Sequence, residues 1–419
     1  MTSTLDDAQA AVAPDELALD HPQPARTAKR ARARFAAAPA PRRRRGSVGS
    51  CASARLLCGS LLMLGAIAPL AGQPVPGTGP IVRSARVVVE GGGRVDWSKQ
   101  GDRLAFDRAG TDGLFDLWIH DLASGGERCL TCESYEFRGA HAINPEWNPA
   151  GEWLVFQRQE NAKKLGLGAA DLLGPERGLW SDVWLIRADG KAYWQLTRLT
   201  DMGSAALDPH VSFEGERLVW SERTRSREGA WGVWQLRTAE IVLKRGVPRL
   251  KSTDRHQSDE LAGLVVSHGF LPDDRRLLFS AERPGRRGGL DIGVLDPATG
   301  ATTLLTRSQG GADGYAAVAP RAPLIAFASE RPGALGPPAP GSETGERLDA
   351  AEVWLMALDG ADKRPLTRFN EPNSPEGLGR TWVGDLAWSP DGNRLAVQVV
   401  HGVTEGEPAI VLLELDERP

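Results

Sequence analysis

The sequence predicts an all-β fold, a six-bladed β-propeller of four-stranded antiparallel blades over residues 81–419. Three observations predict it. A ten-residue phrase recurs six times, a second hairpin-like phrase follows most of the copies, and 48 Gly and 29 Pro in 419 residues favour turns over long helices. The chain also exceeds the size of a typical single domain, so a repeat architecture or a division into domains is required.

The first phrase is an aromatic or apolar residue, a polar Pro/Gly-type turn, and an apolar strand ending nine residues later. Its copies are Trp97 to Phe106, Trp147 to Phe156, Val211 to Trp220, Phe270 to Phe279, Val318 to Phe327 and Trp388 to Val397, spaced by 50, 64, 59, 48 and 70 residues. That spacing is the scale of a propeller blade with loops of varying length, and places blade starts near 95, 145, 209, 268, 316 and 386.

The second phrase opens on an acid, alternates through a strand, turns on Gly and ends in Leu-Thr. It runs from Asp116 to Thr131, Asp182 to Thr197, Asp291 to Thr306 and Glu352 to Thr367, while the copy near Gly232 to Leu243 is degenerate and lacks Leu-Thr. Apolar alternation around a Gly turn makes a hairpin. Two hairpins make a four-stranded blade that buries its faces only against neighbours in a closed ring. The last copy is one strand short, and Ile81 to Glu90 has a strand's composition; it is expected to complete blade six, since an open ring would leave a bare edge.

These phrases resemble the PD40 repeats of the TolB-like propeller family, whose forms are W-S-P-D-G-x-x-L-A-F and D-I-W-x-x-D-x-x-G-x-x-x-x-L-T. Trp388-Ser389-Pro390-Asp391-Gly392 matches most closely, and the resemblance spans Val95 to Leu415. It implies the fold and says less about function. TolB carries an α/β domain ahead of its propeller, which residues 1–80 do not supply.

The N-terminal region differs in kind. Residues 1–72 hold ten Lys and Arg against five Asp and Glu, and none of the 13 Trp. Arg42 to Arg45 and Arg55 lead into an apolar run from Leu56 to Leu70, which is short for a membrane span and reads as the h-region of a secretory signal behind a basic disordered extension. Residues 73–80 then form a linker. A noncleaved anchor and a twin-arginine signal are the alternatives; a lipoprotein is disfavoured because Cys58 stands at the start of the apolar run. The expected location is periplasmic or otherwise extracytoplasmic, with no membrane span in the mature form. The remainder carries 40 basic and 49 acidic residues, which offers no electrostatic footprint for nucleic acid.

The innermost strand of each blade lines the channel, so residues one and three before each phrase are the site candidates. They bring Asp96, Asn144, Glu146, Asp208, His210 and Asp385 to the channel, with His141 and His268 flanking it. Such an acidic channel either binds water and backbone amides or holds a divalent cation, for which Asp208 and His210 are the candidate ligands. No permanent cofactor is required.

Oligogalacturonate lyases, whose propellers are related to this repeat, imply an enzymatic alternative using channel His residues and a metal, although an acid-rich channel would repel an acidic sugar. Related prolyl-oligopeptidase-type enzymes append a hydrolase domain, but no G-x-S-x-G phrase is present. Cys129 and Cys132 form C-x-x-C at a strand end and are candidates for a local disulfide; metal binding with His141 and redox work are the other readings. The repeated Ser-Glu-Arg phrases, such as Ser221 to Arg223, are expected in blade-to-blade salt bridges or solvated turns, with partner recognition the alternative. Insertions at Glu160 to Leu179, Thr224 to Ala230 and Pro332 to Leu348 are expected to project as rim loops. The expected function is a monomeric, non-catalytic propeller binding a protein or envelope component through its channel mouth or rim loops. The alternatives are a metal-dependent, lyase-like carbohydrate-active enzyme and a purely structural envelope subunit.

Overall fold

In the computed structural model of the protein, the described residues are 79–159, 180–227, 230–256, 263–282, 289–308, 311–330, 350–371, 373–374, 376–401 and 408–416. The expected basic extension and signal segment, linker residues 73–78, and the insertions 160–179 and 332–348 lie outside them.

The first strand, β1 (Ile81–Glu90), precedes blade one, which comprises β2 (Gly92–Trp97), β3 (Arg103–Ala109), β4 (Phe115–Asp121) and β5 (Glu127–Cys129). Blade two is β6 (His141–Trp147), β7 (Trp153–Gln159), β8 (Ser181–Arg187) and β9 (Tyr193–Gln195). Blade three is β10 (Ala206–Val211), β11 (Arg217–Arg227), β12 (Ala230–Lys244) and β13 (Val247–His256). Blade four is β14 (Val265–Phe270), β15 (Leu277–Glu282), β16 (Leu290–Leu295) and β17 (Thr302–Leu304). Blade five is β18 (Asp313–Val318), β19 (Leu324–Ser329), β20 (Glu352–Ala357) and β21 (Arg364–Pro365). Blade six is β22 (Thr381–Trp388), β23 (Arg394–His401) and β24 (Pro408–Asp416), completed by β1. The protein is a six-bladed all-β propeller.

Closure is by β1. It pairs antiparallel with β24 from Ile81 opposite Asp416 to Glu90 opposite Ala409, and Val89 is buried against Trp97 and Ile410. The ring is thus sealed by strands from the two ends of the propeller region, and the edge that β24 would otherwise expose is paired.

The core is distributed between blades. Trp97, Phe106, Ala396 and Leu412 pack where blade six meets blade one, Trp147, Phe156, Leu117 and Ile119 where blade one meets blade two, and comparable clusters fill the other blade interfaces. The two ends of the repeated phrase therefore face the preceding blade together, because the strands they occupy pair antiparallel: Trp97 lies opposite Leu104, and Val95 opposite Phe106. The phrase's Arg serves the next interface. Arg103 stacks on Trp147 at 4.6 Å, Arg217 on Phe270 at 4.9 Å and Arg394 on Trp97 at 4.8 Å, each a cation–π contact between adjacent blades.

Both repeated turns have a chemical cause. After the phrase's first residue, the Ser or Asn side chain accepts a backbone N–H across the turn, as Ser389 does from Arg394 at 2.9 Å and Asn148 from Trp153 at 3.0 Å. Gly392, at φ 76°, supplies the left-handed residue that this turn needs. The second phrase's acid and Thr form a latch. Thr131, Thr197 and Thr367 donate to Asp116, Asp182 and Glu352 at 2.6, 2.7 and 2.5 Å, and each Thr hydroxyl also accepts the N–H of the residue after that acid.

Blade three departs from the pattern. Where a rim loop is expected at Thr224 to Ala230, β11 continues to Arg227 and β12 starts at Ala230, so the described residues extend a hairpin. Its outer turn uses Arg245 at φ 55° and Gly246 at φ 77°, the two positive φ values of a type I′ turn, which explains the missing Leu-Thr. Glu222 pairs with Arg237 at 3.0 Å inside blade three, so this Ser-Glu-Arg phrase does not make the expected blade-to-blade bridge.

Candidate functional site

The channel is where the six innermost strands converge, and it contains a cavity of about 220 Å³. Asp96, Asn144, Glu146, Asp208, His210, His268 and Asp385 all line it. So do Arg94 and Tyr315, which sequence reasoning placed on the channel face but left out of the site, and Lys99 at the mouth. His141 does not line it: this side chain is buried at the far end of β6, where its Nδ1 accepts the Phe115 N–H at 3.2 Å.

A β-bulge in every innermost strand shapes the lining. The register breaks between Gly92 and Val95, Ile143 and Glu146, Leu207 and His210, Ser267 and Phe270, Gly314 and Ala317, and Val383 and Leu386. Three of the bulged residues, Asn144 at φ 54°, Asp208 at 45° and Tyr315 at 50°, are left-handed, a conformation that Asn and Asp tolerate better than most side chains. The bulge turns consecutive residues, such as Asn144, Pro145 and Glu146, towards the channel instead of alternate ones.

The freed backbone groups are recaptured by channel carboxylates across blade boundaries. Asp96 accepts the Trp147 N–H at 2.8 Å, Glu146 the Val211 N–H at 3.0 Å, and Asp385 the Val95 N–H at 3.2 Å. Asp107, on β3, takes the Arg94 and Asn144 amides at 3.0 and 2.9 Å. Burial raises its carboxyl to about 7 against the pull of those amides and the Arg94 charge, and burial likewise raises Asp96 to about 6.

Arg94 crosses the channel. Its Nη1 meets Asp208 Oδ1 at 3.2 Å, its guanidinium lies 4.8 Å from the Tyr315 ring centre, and Asn144 Nδ2 donates to the same Asp208 oxygen at 2.7 Å. The acid-rich channel expected from the sequence thus holds a buried arginine among its carboxylates. His210 contacts Glu146 through Nδ1 and the Ser267 carbonyl through Nε2. Burial disfavours its charged form, but Glu146, with Asp208 and Asp385 behind it, outweighs burial and raises it to about 9. His268 is held well below the ordinary histidine value by burial and by the charges of His210 and Arg94. Its Nε2 meets the Ser280 hydroxyl at 2.7 Å.

This arrangement bears directly on metal binding. Both His210 nitrogens are engaged and Asp208 Oδ1 accepts from Arg94 and Asn144, so a cation at this pair would have to displace those partners. Among the described residues, the grouping with metal-ligand spacing is Asp116, Cys129 and Cys132, whose two sulfurs are joined as a disulfide.

The cavity reaches the turns that follow the innermost strands. Its rim is Lys99, Pro149, Phe213, Pro320 and Pro390, all from the turns after the innermost strands. Those turns are tied together: Asp274 accepts the Phe213 and Glu214 amides at 2.8 and 2.9 Å, and Arg321 donates to the Pro390 carbonyl at 2.9 Å. Because blade strands alternate in direction, the strand ends that carry the insertions, Gln159 and Ser329, lie at the opposite end of their blades. Channel mouth and insertion-bearing rim are two separate faces.

No family model matches the chain, and no curated protein does. Among solved structures it is similar to TolB from Acinetobacter baumannii, at 14% identity and TM-score 0.47 over 75% of this chain and 64% of that one. The chain is similar in architecture to TolB-like propellers. A putative TolB from Agrobacterium tumefaciens aligns at 17% identity and TM-score 0.48, covering 81% of this chain and 97% of that one. An oligogalacturonate lyase from Vibrio parahaemolyticus aligns at 10% identity and TM-score 0.46, covering 80% and 95%. At these identities the similarity concerns the fold. No helix among the described residues is long and apolar enough to cross a membrane.

Proposed function

We propose that the protein is an exported, non-catalytic binding module that holds a protein or envelope component at the channel mouth. The observation that carries this reading is the commitment of the channel's charged groups to one another and to the backbone of neighbouring blades. Asp96, Glu146, Asp208, His210 and Asp385 each hold a structural bond. They form a fixed polar floor beneath a half-apolar rim that includes Phe213, 41% exposed, and Lys99. Rigid concave sites with a few placed polar groups suit recognition. Export is supported by the basic and apolar N-terminal pattern and by a disulfide, which persists in oxidising compartments.

The lyase-like alternative requires a metal at Asp208 and His210. Metal analysis of the purified protein, compared with Asp208→Ala and His210→Ala, tests it. The binding reading expects no stoichiometric divalent cation in any of the three proteins. A stoichiometric metal lost in both variants, with metal-dependent cleavage of a polyuronide, would replace it.

A further inference from the structure

The second phrase's acid does different work in blade one than in its sister blades. Asp182, Asp291 and Glu352 latch their Thr and also accept a backbone N–H seventeen residues on, from Leu199 at 2.5 Å, Ser308 at 2.8 Å and Phe369 at 2.9 Å. The corresponding residue in blade one is Glu133, and Asp116 accepts from the Thr131 hydroxyl. The connector is held instead by the Cys129–Cys132 disulfide, with the Cys132 N–H directed at Cys129 Sγ at 3.0 Å. A carboxyl oxygen of Asp116 and both sulfurs lie within 4.8 Å of one another. Cys132 is exposed and Cys129 half-buried, so an incoming thiolate has access to the Cys132 sulfur.

We infer that Cys129–Cys132 is a thiol–disulfide exchange site for a dithiol partner, with Asp116 as the proton donor to the departing Cys129 sulfur. The partner's thiolate attacks Cys132 Sγ, the S–S bond breaks, and Cys129 Sγ leaves with the electron pair and takes the Asp116 proton. The partner's second thiolate then attacks its own sulfur in the mixed disulfide and releases the Cys132 thiolate. Two electrons pass to this protein, the partner becomes a disulfide, and solvent reprotonates Asp116. Exchange of this kind is faster when the leaving sulfur is stabilised. Burial raises the Asp116 carboxyl, with the Thr131 hydroxyl opposing and Asp112 adding to the rise.

The test is the rate of reduction of the folded, full-length protein by excess dithiothreitol from pH 5 to 8, followed by thiol alkylation and mass. Asp116→Asn keeps an acceptor for Thr131 but carries no acidic proton. It is expected to be reduced about a hundredfold more slowly than the parent at pH 5, with the ratio closing towards one as pH rises. Asp182→Asn, which disturbs the same latch in blade two, is expected to leave the rate unchanged. A disulfide that resists dithiothreitol until the protein unfolds would overturn the proposal, as would an Asp116→Asn rate parallel to the parent at every pH or an equal slowing by Asp182→Asn.

Discussion

Arg94 of blade one and Asp208 of blade three meet across the channel at 3.2 Å, with their side chains only 13% and 5% exposed. They join blades that are not neighbours, so the pair acts as a strut across the ring. Removing one partner strands the other charge in a buried site. Asp208→Ala should destabilise by about 3–5 kcal/mol, whereas the double change Arg94→Met with Asp208→Leu should recover most of it. Urea unfolding of the three proteins checks this, and a double variant no more stable than Asp208→Ala would show that the loss does not come from a stranded charge.

The His210–Glu146 pair makes stability depend on pH. The folded histidine titrates at about 9 against an ordinary 6.5, so its contribution is complete below about pH 6.5 and is lost as pH rises through 9. A shift of that size corresponds to about 3 kcal/mol. Glu146→Gln keeps an acceptor for the Val211 amide and removes the charge. The stability difference between parent and variant should therefore shrink between pH 6 and pH 10, as read by unfolding at each pH. A constant difference would mean that the imidazole is neutral throughout.

Ring closure rests on β1. Val89 is 1% exposed and packs with Trp97 and Ile410, so Val89→Asp places an unpaired charge in that interface. Val89→Asp and deletion of residues 81–90 should both abolish the cooperative unfolding transition, the deletion also producing association through the bare β24 edge. A deletion that unfolds like the parent would show that the ring closes without this strand.

The Thr latch should matter wherever it is buried. Thr367→Val leaves the Val353 N–H without its acceptor and removes one of the donors to Glu352 at a site that is 1% exposed. A loss of about 1–3 kcal/mol is expected. Chemical denaturation measures it, and a loss within 0.5 kcal/mol of zero, on the order of a neutral surface change, would contradict the latch.

The architecture could be read from the sequence because each repeated residue has a local or next-blade task. Trp97 and its counterparts fill blade interfaces, Ser389 closes its turn, and Thr367 latches its acid. All three are fixed by short-range spacing. The channel was half legible. Period-two counting brought Asp96, Glu146, Asp208 and His210 to the right surface, but the bulges add the intervening residues, which strict alternation leaves out. Arg94 stood at the same register position as Asp208. Its reach to that residue depends on how the ring curves, which no linear spacing encodes. Blade three's long outer hairpin escaped notice because its turn is Arg245-Gly246 and does not resemble the Asp-Gly turns of its sisters.

The most direct test of the binding reading is site-specific photocrosslinking in the cell envelope, with the photoreactive residue at Phe213 on the channel mouth or at Leu243 on the outer hairpin of blade three. Leu243 is the more exposed of the two, at 74% against 41%, so exposure alone would favour it. The account predicts a discrete adduct from position 213 that is absent from position 243 and is lost when Lys99→Glu reverses the charge at the mouth. Adducts that form equally at both positions, or at 243 alone, would contradict it.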